Sequence, residues 1–291
     1  MASWIASIPS PSDGVFSIGP LDIHAYGLMI ALGVVAAVAL SGRRLEASGV
    51  GTREDMSSIA LWGVIAGVIG ARLYYIVTDA SRPWEEPSRW LKVWEGGLGV
   101  PGGILLGTLV AGYAIRRRGL SVGGVYTAAA PAIPLAQAIG RIGNWWNQEL
   151  FGRPTDLPWA LEIDDENLPA GYASGTTFHP TFLYEVLWNL SLVGVLLLID
   201  RRMKLRPGRL LVVYVIGYSI GRFWIEGLRI DPAREGGGWR LNQWVSVVVG
   251  VLAAGYLLID WLKHSGDSDK DSADDAKPAT ADVDSEVPAS E

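Results

Sequence analysis

The sequence predicts an all-α integral membrane protein of seven transmembrane helices, with a small extracytoplasmic head between spans 4 and 5. Three observations carry that reading. The 291 residues are 49% hydrophobic, with a mean hydropathy of +0.26, above that of an ordinary soluble domain. Seven apolar stretches each run long enough, at roughly 17–25 residues, to cross a bilayer. Arginine and lysine gather in alternate loops, as the positive-inside rule requires of the cytoplasmic ones.

Span 1 covers residues 21–40 and is followed by Arg43, Arg44 and Arg53. Span 2 covers 57–78. Span 3 covers 98–115 and runs into Arg116, Arg117 and Arg118. Span 4 covers 122–142. Span 5 covers 180–199, followed by Arg201, Arg202, Lys204, Arg206 and Arg209. Span 6 covers 208–228, and span 7 covers 241–262, with Lys263 after it. The basic loops share one side, which is then the cytoplasm, with the N-terminus outside and the C-terminus inside. The other side has two longer loops, 79–97 and 143–179. The second has Arg153 as its one base beside Asp156, Glu162, Asp164, Asp165 and Glu166. It is too long for a bare turn, hence the expected head. Thirteen Trp and ten Tyr suit the two interfacial belts.

Two regions follow, a transmembrane domain over 1–264 and an acidic cytoplasmic tail over 265–291. The net charge of −6 comes from the tail: nine acids and two Lys lie there, against 22 bases and 21 acids in the rest. The tail is rich in Asp, Ser, Ala and Pro, cannot bury a core, and is expected to be disordered. No basic footprint for nucleic acid is present. The chain has no Cys, which excludes disulfides, thiolate metal sites and a cysteine nucleophile. Its N-terminus lacks a basic n-region and a small-residue cleavage site, so no cleaved signal peptide is expected.

Gly63 with Gly67, and Gly103 with Gly107, have the four-residue spacing that lets membrane helices approach closely. The run Gly96-Gly97-Leu98-Gly99-Val100-Pro101-Gly102-Gly103 is a poor helix start. It predicts a break or re-entrant turn, and irregular backbone at membrane depth predicts a cavity beside it.

Ionisable groups inside the spans gather toward the outer side. His24 and Tyr26 open span 1, and Arg72 lies in the outer third of span 2. Arg141 ends span 4, with Asn144 and Glu149 just beyond. His179 and Glu185 open span 5, while Arg222, Glu226 and Arg229 fall in the outer part of span 6. Charges inside a bilayer are costly and usually functional. The i, i+4, i+7 spacing of Arg222, Glu226 and Arg229 puts them on one helical face. Arg141 and Arg222 converging on one outer cavity is what a phospholipid head group requires, since a guanidinium binds phosphate through two parallel hydrogen bonds. Blander readings stand beside these. Arg222 and Glu226 form a register-fixing pair, Arg141 snorkels, Glu185 is structural, Tyr26 is an interfacial aromatic, and His179 is a helix-start residue bonded to backbone.

These residues together resemble the prolipoprotein diacylglyceryl transferases over about 15–262. The resemblance is carried by Ile18-Gly19-Pro20 with Tyr26-Gly27, and by Gly70-Ala71-Arg72-Leu73-Tyr74-Tyr75. It continues at Gly140-Arg141-Ile142-Gly143-Asn144 with Asn147, Glu149, Gly152 and Arg153. His179-Pro180-Thr181 with Leu183-Tyr184-Glu185, and Arg222-Phe223-Trp224-Ile225-Glu226 with Arg229, complete it. The resemblance implies transfer of the diacylglyceryl group of phosphatidylglycerol to the lipobox cysteine of a prolipoprotein. A thioether forms and glycerol 1-phosphate leaves, in the bacterial plasma membrane, with the active site on the extracytoplasmic side. It implies no metal and no cofactor.

On that reading Arg141, Arg222, Glu226 and His179 are the expected catalytic residues. Arg141, Tyr26, Asn144, Glu149, Arg72, Gly102 and Gly103 are expected to bind substrate. Many members carry a histidine just before the Gly-Gly of span 3, where this chain has Pro101. A prolyl ring takes no proton, so His179 or the positive field of the two arginines is left to produce the thiolate. The alternatives are a polytopic transporter and a different phospholipid head-group transferase. The one-sided charges and the lack of an internal repeat speak against the transporter.

Overall fold

The computed structural model describes residues 7–19, 21–78, 90, 96–203 and 205–274. Eight α-helices dominate these residues: α1 (Ala25–Ala47), α2 (Arg53–Thr78), α3 (Val100–Arg117), α4 (Val122–Ala129), α5 (Ala132–Trp146), α6 (Thr181–Arg202), α7 (Arg209–Glu226) and α8 (Leu241–Asp274). Three antiparallel hairpins of two short strands accompany them: β1 (Val15–Ile18) with β2 (Leu21–His24), β3 (Leu161–Glu162) with β4 (Thr177–Phe178), and β5 (Glu235–Gly236) with β6 (Trp239–Arg240). Helix α1 packs on α5 and α2, α2 on α3, α5 on α6, α6 on α7 and α7 on α8.

Five segments are long and apolar enough to cross a membrane: Ala25–Ala47, Arg53–Thr78, Val122–Trp146, Thr181–Arg202 and Leu241–His264. Their outward faces are apolar, with Leu32, Val35, Leu61, Val68, Leu187, Leu198, Val251 and Leu252 all exposed. So much exposed apolar surface is that of a membrane protein. Helices α3 and α7 fall short of the same mark. The first is glycine-rich and ends on Arg116 and Arg117; the second carries Arg209, Arg222 and Glu226.

Two expected spans are corrected. Span 1 starts at Ala25, because residues from Leu21 to His24 pair with Val15–Ile18 as a hairpin. The fourth stretch, read as one helix over 122–142, is broken at Ala130–Pro131 into α4 and α5. Proline removes an N–H from the helical ladder, leaving carbonyls one turn back without partners. Arg44 meets that need: its guanidinium donates to Thr127 O at 3.0 Å and Ala128 O at 2.9 Å, and pairs with Asp200 at 3.2 Å. The tail expected to be disordered over 265–291 is corrected in its first part: helix α8 runs on to Asp274, and residues 275–291 lie outside the described residues. So does most of the loop 79–97.

The glycine spacing does what close packing requires. Cβ atoms built on Gly103 and Gly107 would meet Gly67 O and Gly63 O, each at 3.1 Å, and Gly70 and Gly102 abut backbone to backbone. The α2–α3 seam is therefore made of glycine. Gly102→Val drives a branched side chain into Gly70 and Tyr74, and overpacking of this kind costs about 1–3 kcal/mol or more. Thermal unfolding of the purified variant in detergent checks this, the expected result being a clearly lowered midpoint.

The run before α3 is irregular, with Gly96 and Gly97 at φ +87° and +74°. Its carbonyls are met by protein. Arg72 donates to Gly96 O at 2.5 Å, Gly97 O at 2.9 Å and Trp90 O at 3.0 Å, and Gly99 N–H donates to Ala71 O at 2.8 Å. Among the described residues, an arginine satisfies much of this irregular backbone.

Between α5 and α6 the chain forms a small unit with its own core of Phe151, Leu161, Ile163 and Phe178, joined by Ile8, Trp145 and Phe182. Ile8 extends the β3–β4 hairpin through an isolated bridge to Leu161.

Candidate active site

The candidate site is built where the C-terminal parts of α5 and α7 meet the first turns of α6. Helix α5 supplies Arg141 and Asn144. Beyond it the chain turns sharply, with Gln148 at φ +49° and Leu150 at +61°. Left-handed backbone costs a residue with a side chain roughly 1–2 kcal/mol. Gln148 offsets this by donating to Pro11 O at 3.0 Å and Asp164 Oδ2 at 2.5 Å while accepting from Asp164 N–H at 2.8 Å. The turn carries Glu149 back onto the helix end. Glu149 accepts from Asn144 Nδ2 at 2.7 Å and Asn147 Nδ2 at 3.1 Å, and Asn144 Oδ1 accepts from Arg141 Nη1 at 3.3 Å. Asn144 thus ties Glu149 to Arg141. Tyr26 lies beside this turn: a Cβ on Gly143 would stand 2.7 Å from its ring.

Helices α6 and α7 close tightly because Gly217 faces Leu192 and Gly221 faces Trp188, whose indole N–H donates to Gly217 O at 3.0 Å. One turn before Trp188 lies Glu185. Its carboxylate bridges two helices, with Arg141 Nε at 2.5 Å and Arg222 Nη1 at 3.5 Å. Arg222 turns its other nitrogen to Glu226 Oε2 at 2.7 Å. Glu226 is fully buried and receives three further groups: Arg240 at 3.0 Å, Arg229 at 3.8 Å and Asn242 Nδ2 at 3.2 Å. Asp231 completes the set, accepting from Arg229 at 2.7 Å and Arg240 at 2.9 Å. Burial works to raise the Asp231 pKa, but the hydrogen bond and charge of Arg229, with Arg240 behind them, leave it below the ordinary aspartate value.

Four guanidiniums thus meet three carboxylates in one buried network. The spacing of Arg222, Glu226 and Arg229 is realised as contacts, although Arg229 lies past the end of α7. Sequence reasoning missed the bridging place of Glu185, and it missed Arg240, Asp231 and Asn242 altogether. A signal was present: Arg229, Arg234 and Arg240 crowd a loop of about a dozen residues, whereas the much longer loop 143–179 has Arg153 as its one base.

Other expected site residues stand apart from this network. Arg72 is spent on backbone carbonyls before α3 and lies 5.2 Å over the Tyr75 ring. Gly102 and Gly103 are pressed against α2. His179 Nδ1 lies 3.0 Å from the Tyr184 hydroxyl, which accepts from Trp159 Nε1 at 3.0 Å. The set is satisfied when Tyr184 donates to Nδ1 and the imidazole proton sits on Nε2. These residues line an apolar hollow of about 470 Å³ with Leu183, Leu187, Trp224 and Leu228. Burial, then the charge of Arg153, holds the His179 pKa below the ordinary histidine value.

Fold and site together define a helical membrane protein with a charged polar network, rich in arginine, buried at one end of its apolar bundle. The prolipoprotein diacylglyceryl transferase family model matches residues 13–259. Among curated proteins, the phosphatidylglycerol–prolipoprotein diacylglyceryl transferase of Cutibacterium acnes is 48% identical over 270 residues, covering 92% of this chain and 90% of its own. That of Streptomyces griseus is 44% identical over 283 residues, covering 96% and 85%. That of Frankia alni is 49% identical over 259 residues, covering 87% and 67%. The chain belongs to the prolipoprotein diacylglyceryl transferase family.

Proposed function

We propose that this protein transfers the diacylglyceryl group of phosphatidylglycerol to the lipobox cysteine of prolipoproteins, the first step of bacterial lipoprotein maturation. The enzyme class follows from family membership, and one observation carries the placement of the chemistry: Arg141 and Arg222 meet at a single carboxylate, Glu185, which they grip as they would an anionic ligand. The cysteine sulfur attacks the glyceryl carbon and the carbon–oxygen bond to phosphate breaks. The bonding pair stays with the phosphate oxygen, so a singly charged diester becomes a doubly charged monoester, glycerol 1-phosphate. Charge grows where the guanidiniums point, which is selective stabilisation of the transition state.

In this reading Glu226 orients Arg222, and Asn144 with Glu149 sets the fork of Arg141. Tyr26, half-exposed beside Gly143, borders the entrance. Seven spans cross the plasma membrane, α3 and α7 included: the charges of α3, Arg116 and Arg117, lie exposed at its very end, and Arg222 and Glu226 of α7 are enclosed by their ion-pair partners. The unit between α5 and α6 is the extracytoplasmic head, so the network faces the outer leaflet. Residues 265–291 form the acidic cytoplasmic tail. Incubating the purified protein with phosphatidylglycerol and a lipobox peptide tests the reading. The peptide gains the mass of one diacylglyceryl group; no gain with a folded protein refutes it.

The thiol proton has two routes. If His179 accepts it, His179→Gln abolishes transfer while phosphatidylglycerol still binds. The parent's rate then rises with pH through an inflection below 6.5, because the site depresses the imidazole pKa and a base works only when unprotonated. If His179→Gln keeps full rate, the field of Arg141 and Arg222 lowers the thiol pKa instead. The engagement of Nδ1 by Tyr184 favours the second route.

A further inference from the structure

We infer that Glu185 is an exchangeable internal anion: it occupies the phosphate position between Arg141 and Arg222 in the empty enzyme and returns there to expel the glycerol phosphate product. The inference rests on the reading that these two arginines hold the phosphate. Its starting point is an asymmetry between two buried glutamates. Glu226 is held by Arg222, Arg229, Arg240 and Asn242 and has no exposed surface. Such a carboxylate stays in place. The Glu185 carboxylate is held only by Arg141 and Arg222 among the described residues, using one oxygen for each. The side chains of Arg141 and Arg222 keep 22% and 15% of their surface, against 7% for Glu185. The arginines thus keep surface that a ligand can reach, while the carboxylate between them keeps less.

The chemistry supplies the need. The product carries one more negative charge than the substrate, so guanidiniums arranged to stabilise the transition state also hold the product more tightly than the substrate. A carboxylate tethered on α6 competes at high effective concentration, as any intramolecular ligand does. The exchange is one of ion pairs alone. Glu185 releases two guanidiniums as phosphate oxygens take them, and the reverse exchange frees the phosphate monoester. Glu185 is accordingly a positioning residue, acting through the arginines.

The test is the affinity for glycerol 1-phosphate, measured by titration calorimetry on the full chain in detergent micelles, together with its inhibition of transfer. Glu185→Gln keeps the shape and removes the competing charge. The expected result is about tenfold tighter glycerol 1-phosphate binding, equivalent to about 1.4 kcal/mol, with stronger product inhibition and a lower kcat beside an unchanged or lower KM. Glu185→Asp keeps the charge but withdraws it by one methylene, and it should tighten binding by a smaller factor. A merely structural Glu185 gives the opposite sign, with looser arginines and weaker binding. Unchanged or weaker affinity in the folded variants therefore overturns the inference. Failure of both to fold overturns it too, since an exchangeable anion is dispensable to the fold. Arg222→Ala separates the two levels: if the parent binds glycerol 1-phosphate and Arg222→Ala binds it equally well, the phosphate reading itself fails. If binding needs Arg222 but Glu185→Gln does not tighten it, the inference about Glu185 alone fails.

Discussion

Arg141→Ala and Arg222→Ala are each expected to lower diacylglyceryl transfer by about 10²–10³-fold while the protein still inserts and folds. The magnitude is that of deleting one preorganised donor aimed at charge that grows in the transition state, roughly 3–4 kcal/mol. The loss should fall mainly on kcat, because the substrate diester carries less charge than the group that leaves. Lysine should rescue either position poorly. Arg141 reaches Glu185 with Nε and Asn144 with Nη1, and Arg222 divides its two terminal nitrogens between Glu185 and Glu226. A single ammonium offers a point charge and cannot span such pairs. Turnover near that of the parent in either alanine variant would remove that residue from the site.

Glu226→Ala is expected to have the largest effect on stability. The carboxylate is fully buried and lies within ion-pair distance of Arg222, Arg229 and Arg240. Removing one partner of a buried ion pair costs about 3–5 kcal/mol, because the remaining charge stays desolvated without compensation. Here three guanidiniums lose their common counter-ion, and Asp231 compensates only the two it touches. The expected result is a strongly lowered unfolding midpoint in detergent together with loss of transfer. Glu226→Gln should retain more stability, since the amide oxygen still accepts one hydrogen bond, but it should not restore the parental rate. An unfolding midpoint near the parental one in Glu226→Ala would mean that the network does not hold α7 to the β5–β6 hairpin.

The two variants report on different properties of the same network, and the reason is its connectivity. Arg141 and Arg222 lie at its more open edge, where a ligand can replace a carboxylate. Glu226 lies at its closed centre, where nothing can replace it.

Much of this was legible in the chain. Apolar runs of bilayer length located α1, α2, α6 and α8 to within a few residues at their starts, because spanning a hydrocarbon layer constrains length and polarity together. The four-residue glycine spacing at Gly63, Gly67, Gly103 and Gly107 foretold a backbone-close seam, because only glycine permits one. The helical spacing of Arg222, Glu226 and Arg229 foretold their shared face. The ordered motifs from Tyr26 to Arg229 identified the family.

What the tertiary structure decided is which polar groups meet. Nothing local in the sequence says that Glu185 on α6 stands between arginines on α5 and α7, or that Arg240, beyond a hairpin, reaches Glu226. Those contacts depend on the closeness of α6 to α7 at Gly217 and Gly221 and on the left-handed turn at Gln148. It likewise assigned Arg44 to the carbonyls freed at Pro131, and Arg72 to those of Gly96 and Gly97. An arginine in a membrane segment announces that it must have a partner, since the bare charge is too costly there. Whether that partner is a carboxylate, a backbone carbonyl or a substrate phosphate is settled by distances of a few ångströms between segments far apart in the chain. Hydropathy and spacing along one helix carry no information about those distances.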